Sequence, residues 1–151
     1  MEIELQENYT FEEYRILFHS ILDQKKLNKT SERFNILREI YDIEGHFTVE
    51  TLYRKLKEKK YQVSKTTIYN TLDLLVDIKL IIKHQFGENC AQYEKYDMKN
   101  VHDHIVLKET GEIIEFNNEA LNNIIKEIEE KYGLKVYYRS FTLYGDKKNK
   151  T

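Results

Sequence analysis

The chain has 151 residues, of which 40% are hydrophobic and 33% charged, enough for one domain of ordinary size or two small ones. No apolar run approaches 18 residues and the start does not resemble a signal peptide, so we expect a cytoplasmic protein without a membrane span. Cys90 is the only cysteine, which excludes an intrachain disulfide and a zinc site made from a cysteine cluster.

The net charge of −2 conceals two parts of opposite sign. Residues 25–70 hold 11 lysine and arginine residues against 6 aspartate and glutamate, a net +5, and the remainder holds 13 against 20, a net −7. A basic segment indicates an anionic partner such as nucleic acid, although lysines also occur on helices because they face solvent.

Apolar residues recurring at intervals of three and four predict four helices in the first half. The first spans about residues 11–25, the second has either Thr30 or Ser31 as its cap, the third follows Thr48 and the fourth follows Ser64. The apolar positions are Phe11, Tyr14, Leu17, Phe18, Ile21 and Leu22 in the first helix, and Phe34, Leu37, Ile40 and Tyr41 in the second. In the third helix they are Leu52, Tyr53 and Leu56, and in the fourth Ile68, Leu72, Leu75 and Val76.

Two strand-like runs, residues 80–86 and 90–96, follow the fourth helix and flank a glycine turn at residues 87–89. Helices followed by a two-stranded wing predict a winged helix-turn-helix, whose last helix binds DNA through its N-terminal part. The basic segment favours DNA over a small helical domain without a ligand. The residues that we expect at DNA are Lys29, Arg33, Ser64, Lys65, Thr66, Thr67, Tyr69 and Asn70.

His102 and His104 begin an apolar run, and residues two apart on a strand point to the same face. A short link at residues 108–111 predicts a hairpin, and a loop at residues 109–110 would place Glu115 opposite His104. Asp103 would then lie on the other face. Two imidazoles and a carboxylate on one sheet face form a plausible metal half-site, but spacing alone equally permits ordinary polar residues on a solvated face.

A helix over residues 118–132, ended by Gly133, and a strand over residues 134–144 complete the chain. The helix has Leu121, Ile124, Ile125 and Ile128 on one face. Three strands and one helix cannot cover their own faces and edges, so we expect a homodimer. The predicted fold is α+β, an N-terminal winged helix-turn-helix domain (residues 1–97) followed by a small α/β dimerisation and metal-binding domain (residues 98–151).

The order of these features resembles the ferric uptake regulator family over about residues 27–145. The matching segments are the winged helix, with TTIY at residues 66–69, then HDHIVL at residues 102–107, GEIIEF at residues 111–116, a helix, and SFTLYG at residues 140–145. The resemblance implies a bacterial dimeric repressor that binds palindromic operators in double-stranded DNA when loaded with a divalent metal.

Position by position, the resemblance places the regulatory metal site on His46, Glu94, His102, His104 and Glu115. It implies that His46 and Glu94 belong to the DNA-binding half and the other ligands to the dimerisation half, so that the metal fixes the angle between the halves. Such ligands suit ferrous iron, which we expect in the cell, and also zinc or manganese.

Departures from the family pattern remove two further sites. The cysteine pair of a structural zinc site would fall on Leu107 and Thr110, so we expect no cysteine-held zinc. A further metal site would need other ligands at Val101, Asn122 and Arg139; only Asp103 of that set is present, and we expect no metal there.

Two single positions also differ from the family pattern. Asn70 replaces an arginine often found after the recognition-helix tyrosine, which leaves the operator sequence open. The peroxide-sensing branch has aspartate where this chain has Glu115, which disfavours peroxide sensing.

Other function classes stay open on the sequence. A metalloenzyme would explain the histidines, but we find no nucleophile elbow or glycine-rich phosphate loop, and five ligands leave little room for substrate. We therefore expect a regulator and not an enzyme. The alternatives are a metal-independent winged-helix regulator and a family member that senses peroxide, zinc or manganese.

Overall fold

The computed structural model describes residues 9–86, 90–96 and 101–149. The chain divides into two compact units, Met1–Met98 and Lys99–Thr151. The domain boundary expected at residues 97–98 and the wing turn at residues 87–89 lie outside the described residues. Within the described ranges, no helix has the length and apolarity needed to cross a membrane.

The first unit contains α1 (Phe11–Gln24), α2 (Ser31–Asp42), α3 (Val49–Glu58), α4 (Lys65–Asp77), β1 (Ile81–His84) and β2 (Gln92–Lys95). Each helix begins after a hydroxylated N-cap: Thr10, Thr30, Thr48 and Ser64 each accept a hydrogen bond from a backbone N–H of the first turn. The two strands pair antiparallel after the last helix. The predicted winged helix-turn-helix is therefore confirmed.

The core of this unit consists of the faces that the apolar spacing predicted, with some adjustment in α2. Leu37 and Ile40 are fully buried there, but Ile36 joins them, whereas Phe34 and Tyr41 are only partly buried. The other largest fully buried side chains of this unit are those of Phe18, Leu22, Leu52, Leu56, Ile68, Leu72, Leu75, Phe86 and Tyr93. This packing leaves the opposite face of α4 in solvent.

The second unit contains β3 (Asp103–Leu107), β4 (Ile113–Phe116), α5 (Glu119–Tyr132) and β5 (Thr142–Gly145). The strand order is β4-β3-β5, with β4 antiparallel and β5 parallel to β3. Asn118 caps the start of α5, and Gly133 ends it with the left-handed φ of 64° that favours glycine.

The predicted strand over residues 134–144 is wrong in its extent. Only Thr142–Gly145 forms a strand, and it pairs with residues 104–107 of β3. A strand needs a neighbour with which to exchange hydrogen bonds, and the parallel register carries residues 134–140 beyond the N-terminal end of β3. Their apolar and aromatic composition suggested a strand, but residues 134–140 pair with no strand among the described residues.

Candidate functional site

The start of α4 presents a polar surface to solvent. Thr66, Tyr69 and Asn70 are exposed, while Ile68 between them is buried in the core. Ser64 and Thr67 are joined to each other, with their hydroxyl oxygens 2.9 Å apart and the Thr67 amide donating to Ser64 Oγ. Thr67 is thus partly occupied with capping the helix, and the outward groups are Lys65, Thr66, Tyr69 and Asn70.

Each cation expected at DNA already has an acceptor within its own chain. Lys65 Nζ lies 2.5 Å from Glu50 Oε1 and 5.2 Å from the centre of the Tyr53 ring. Lys29 pairs with Asp23, and the Arg33 guanidinium donates to the carbonyl of Asn28.

The hydrogen bond to Glu50 raises the pKa of Lys65 above its ordinary value, so this side chain remains charged. Lys29 and Lys65 are exposed and Arg33 is partly exposed.

His46 and Glu94 lie together within the first unit. His46 Nε2 is 3.0 Å from Glu94 Oε2, and both side chains are almost fully buried. A pair of backbone hydrogen bonds between Phe47 and Tyr93, each 2.8 Å, holds the segment before α3 against β2. Because His46 and Glu94 are the chain neighbours of that bridge, the two side chains meet beside it.

His84 is a third member of this cluster, and the sequence did not assign it a role. Its Nε2 lies 2.6 Å from Glu94 Oε1, and its ring stacks on Phe86 with a centroid distance of 5.2 Å. His84 pairs with Gln92 across the wing, which puts Glu94, two residues further on, on the same sheet face. Side chains alternate between the two faces of β1 and β2, which could have indicated that His84 and Glu94 share a face. The register between the two strands, however, depends on a loop whose length the sequence did not determine.

His102, His104 and Glu115 come together in the second unit. His104 is paired with Glu115 across β3 and β4, so the predicted register is confirmed. The two imidazole rings are 4.9 Å apart, and His102 Nε2 lies 3.6 Å from Glu115 Oε1. His104 is buried, whereas the Glu115 side chain is 47% exposed.

Asp103 points away from the two histidines, as strand alternation predicted, and binds a cation of the chain itself. Arg139 Nε and Nη2 donate to its two carboxylate oxygens at 3.1 and 2.7 Å, and Arg139 Nη2 also donates to Asn122 Oδ1 at 2.7 Å. The Asp103 side chain is fully buried, and a guanidinium matches both of its oxygens. A protein side chain therefore neutralises the carboxylate where the family pattern has a further metal site.

The donor chemistry of the two histidine clusters fits a divalent transition metal. Imidazole nitrogen suits iron, zinc and related ions, and carboxylate oxygen adds the harder ligand that ferrous iron and manganese accept. Two ligand atoms about 2.1 Å from one ion lie about 3.0–3.4 Å from each other at octahedral or tetrahedral angles. The 3.0 Å separation of His46 Nε2 and Glu94 Oε2 falls within that interval.

The chain is similar to known proteins. Residues 24–144 match the model of the Ferric uptake regulator family. The chain is 34% identical over 138 residues to the ferric uptake regulation protein of Campylobacter jejuni, covering 88% of this chain and 87% of that protein.

Two solved structures are also similar to the chain. The ferric uptake regulator of Pseudomonas aeruginosa with manganese has 30% identity and a TM-score of 0.73, over 88% of this chain and 99% of that one. The ferric uptake regulator of Vibrio cholerae has 29% identity and a TM-score of 0.65, over 85% and 98% respectively.

Proposed function

The chain belongs to the ferric uptake regulator family, and we propose that it is a homodimeric repressor that binds palindromic operator DNA when a divalent metal is bound. Members of this family are transcription regulators. The relatives named for ferric uptake favour ferrous iron as the metal in the cell, with manganese and zinc as alternatives. The protein would act in the cytoplasm, where the DNA is.

The observation that carries the proposal is the His102, His104 and Glu115 cluster, in a chain whose other unit is a winged helix. Two imidazoles and a carboxylate, which are donors that suit a divalent transition metal, come together at the open end of the β3–β4 hairpin. We assign the metal to this cluster together with His46 and Glu94, following the family pattern. When bound, the metal supplies a positive charge that these donors neutralise.

The DNA surface that we propose lies in the predicted DNA-binding domain, residues 1–97. Lys29, Arg33 and Lys65 supply charge for phosphates, and the short side chains of Ser64, Thr66 and Thr67 allow close approach of the helix. Tyr69 is 51% exposed, so it can contact a thymine methyl or a phosphate. Asn70 extends the same surface by one position.

We assign dimerisation to the predicted second domain, residues 98–151. No residue of α5 is buried, and Ile124 and Ile128 are 50% and 40% exposed. The chain also leaves Tyr137, Tyr138, Phe141, Leu143 and Tyr144 in solvent. So many exposed apolar side chains in one small unit are typical of a protein interface, and a second copy would supply a two-fold arrangement of recognition helices.

Titration of metal-free protein with Fe²⁺, Mn²⁺ and Zn²⁺ tests the proposal, with binding to a palindromic duplex enriched from random sequence as the readout. We expect at least one metal to raise affinity strongly at about one equivalent per chain. Equal DNA binding with and without every metal would instead identify a metal-independent winged-helix regulator. Metal binding without any DNA binding would instead favour the metalloenzyme alternative.

A further inference from the structure

We propose that His84 is a positioning residue, which donates a hydrogen bond to Glu94 and so aims this carboxylate at the metal. This inference rests on the proposed metal site and adds a residue that the family pattern did not assign. The two side chains meet within the first unit, where His84 Nε2 and Glu94 Oε1 are 2.6 Å apart. His84 is 8% exposed and Glu94 9%, so the contact is shielded from solvent.

The direction of this hydrogen bond follows from the chemistry of the partners. An ionised carboxylate only accepts hydrogen bonds, so the proton belongs to His84 Nε2. A buried carboxylate needs such partners, because burial without them costs several kcal/mol. With Oε1 engaged by His84, the other oxygen, Oε2, is the one that lies 3.0 Å from His46 Nε2.

The same geometry argues against His84 as a metal ligand. Two atoms bound to one ion would be about 3.0–3.4 Å apart. The 2.6 Å between His84 and Glu94 is shorter than that interval and is a charge-assisted hydrogen-bond distance. The 3.0 Å between His46 and Glu94 fits two ligands of one ion as well as a hydrogen bond, whereas the 2.6 Å between His84 and Glu94 fits only a hydrogen bond.

His84 is itself held in place, which a positioning residue must be. Its ring lies nearly parallel to Phe86, at 10°, and both side chains are buried. A free glutamate side chain has three rotatable bonds, and ordering it costs conformational entropy. Because His84 is fixed by the wing, its hydrogen bond orders the Glu94 side chain before metal binds. Hydrogen bonds to metal ligands from neighbouring residues have this effect in many metal sites.

The first test compares Co²⁺ affinity for the full-length wild type, His84→Leu and His84→Gln. Glutamine places an N–H near the position of Nε2 and should bind Co²⁺ within about three-fold of wild type, whereas leucine should weaken binding about 10- to 100-fold. His19→Leu, which removes an exposed histidine of α1, is the matched control and should have no effect. Equal affinity of His84→Leu and wild type would overturn the inference, as would equal losses in both His84 variants.

The second test needs no variant and covers the case in which His84→Leu does not fold. In Zn²⁺-loaded wild type with ¹⁵N-labelled histidine, His84 Nε2 should keep its proton, while nitrogens of His46, His102 and His104 shift on metal binding. Loss of the His84 Nε2 proton to the metal would overturn the inference. Failure of wild type to bind Co²⁺ or Zn²⁺ would overturn the proposed function as well, which distinguishes the two failures.

Discussion

Arg139→Met should destabilise the second unit strongly, because it leaves the Asp103 carboxylate buried without its cation. The change removes three hydrogen bonds of 2.7–3.1 Å, two of them to an ionised group that has no solvent exposure. Removing one partner of a buried ion pair costs about 3–5 kcal/mol. This is a large share of the roughly 5–15 kcal/mol by which a domain is stable.

Urea unfolding followed by circular dichroism, at one fixed protein concentration, measures this loss. The double variant Arg139→Met with Asp103→Leu should recover most of it, because no unpaired charge then remains. Arg54→Met, an exposed position on α3, is the matched control and should change stability by less than about 0.5 kcal/mol. A loss below about 1 kcal/mol for Arg139→Met, or no recovery in the double variant, would refute the ion-pair argument.

Three further predictions concern DNA, metal and folding. Glu50→Gln should release Lys65 and raise affinity for duplex DNA of any sequence by up to about five-fold in anisotropy titrations. The control Glu58→Gln makes the same charge change elsewhere on α3. An equal gain in affinity for Glu58→Gln would show only an effect of net charge. His104→Ala should weaken metal binding far more than Asp103→Asn, measured by calorimetry on folded protein, since the two side chains lie on opposite faces of β3. Chelator-treated protein should stay folded and dimeric in circular dichroism and sedimentation, because no cysteine-held zinc supports the sheet; dissociation with loss of structure would contradict this.

The sequence predicted features whose causes are local. Thr30, Thr48 and Ser64 cap helices as expected, because a hydroxyl before an apolar repeat satisfies the first-turn amides. The register of His104 with Glu115 followed from the short link between the strands, since the loop of a hairpin determines which residues are opposite each other.

Features that depend on residues distant in the chain could not be predicted from the sequence. The end of the chain looked like one long strand, but strand length is decided by how far β3 extends beside it. The role of His84 depends on the register across the wing and on Phe86 behind it. The partner of Asp103 is 36 residues away, and only the fold brings Arg139 to it.

Fluorescence anisotropy on a palindromic and a scrambled duplex, with and without metal, tests the central claim most directly. We expect metal to raise affinity of the wild type for the palindrome while barely changing affinity for the scrambled duplex, since only a palindrome requires a fixed spacing of two recognition helices. His46→Ala should abolish that enhancement even if metal remains on His102 and His104. Metal-independent binding of the palindrome by the wild type would contradict the account.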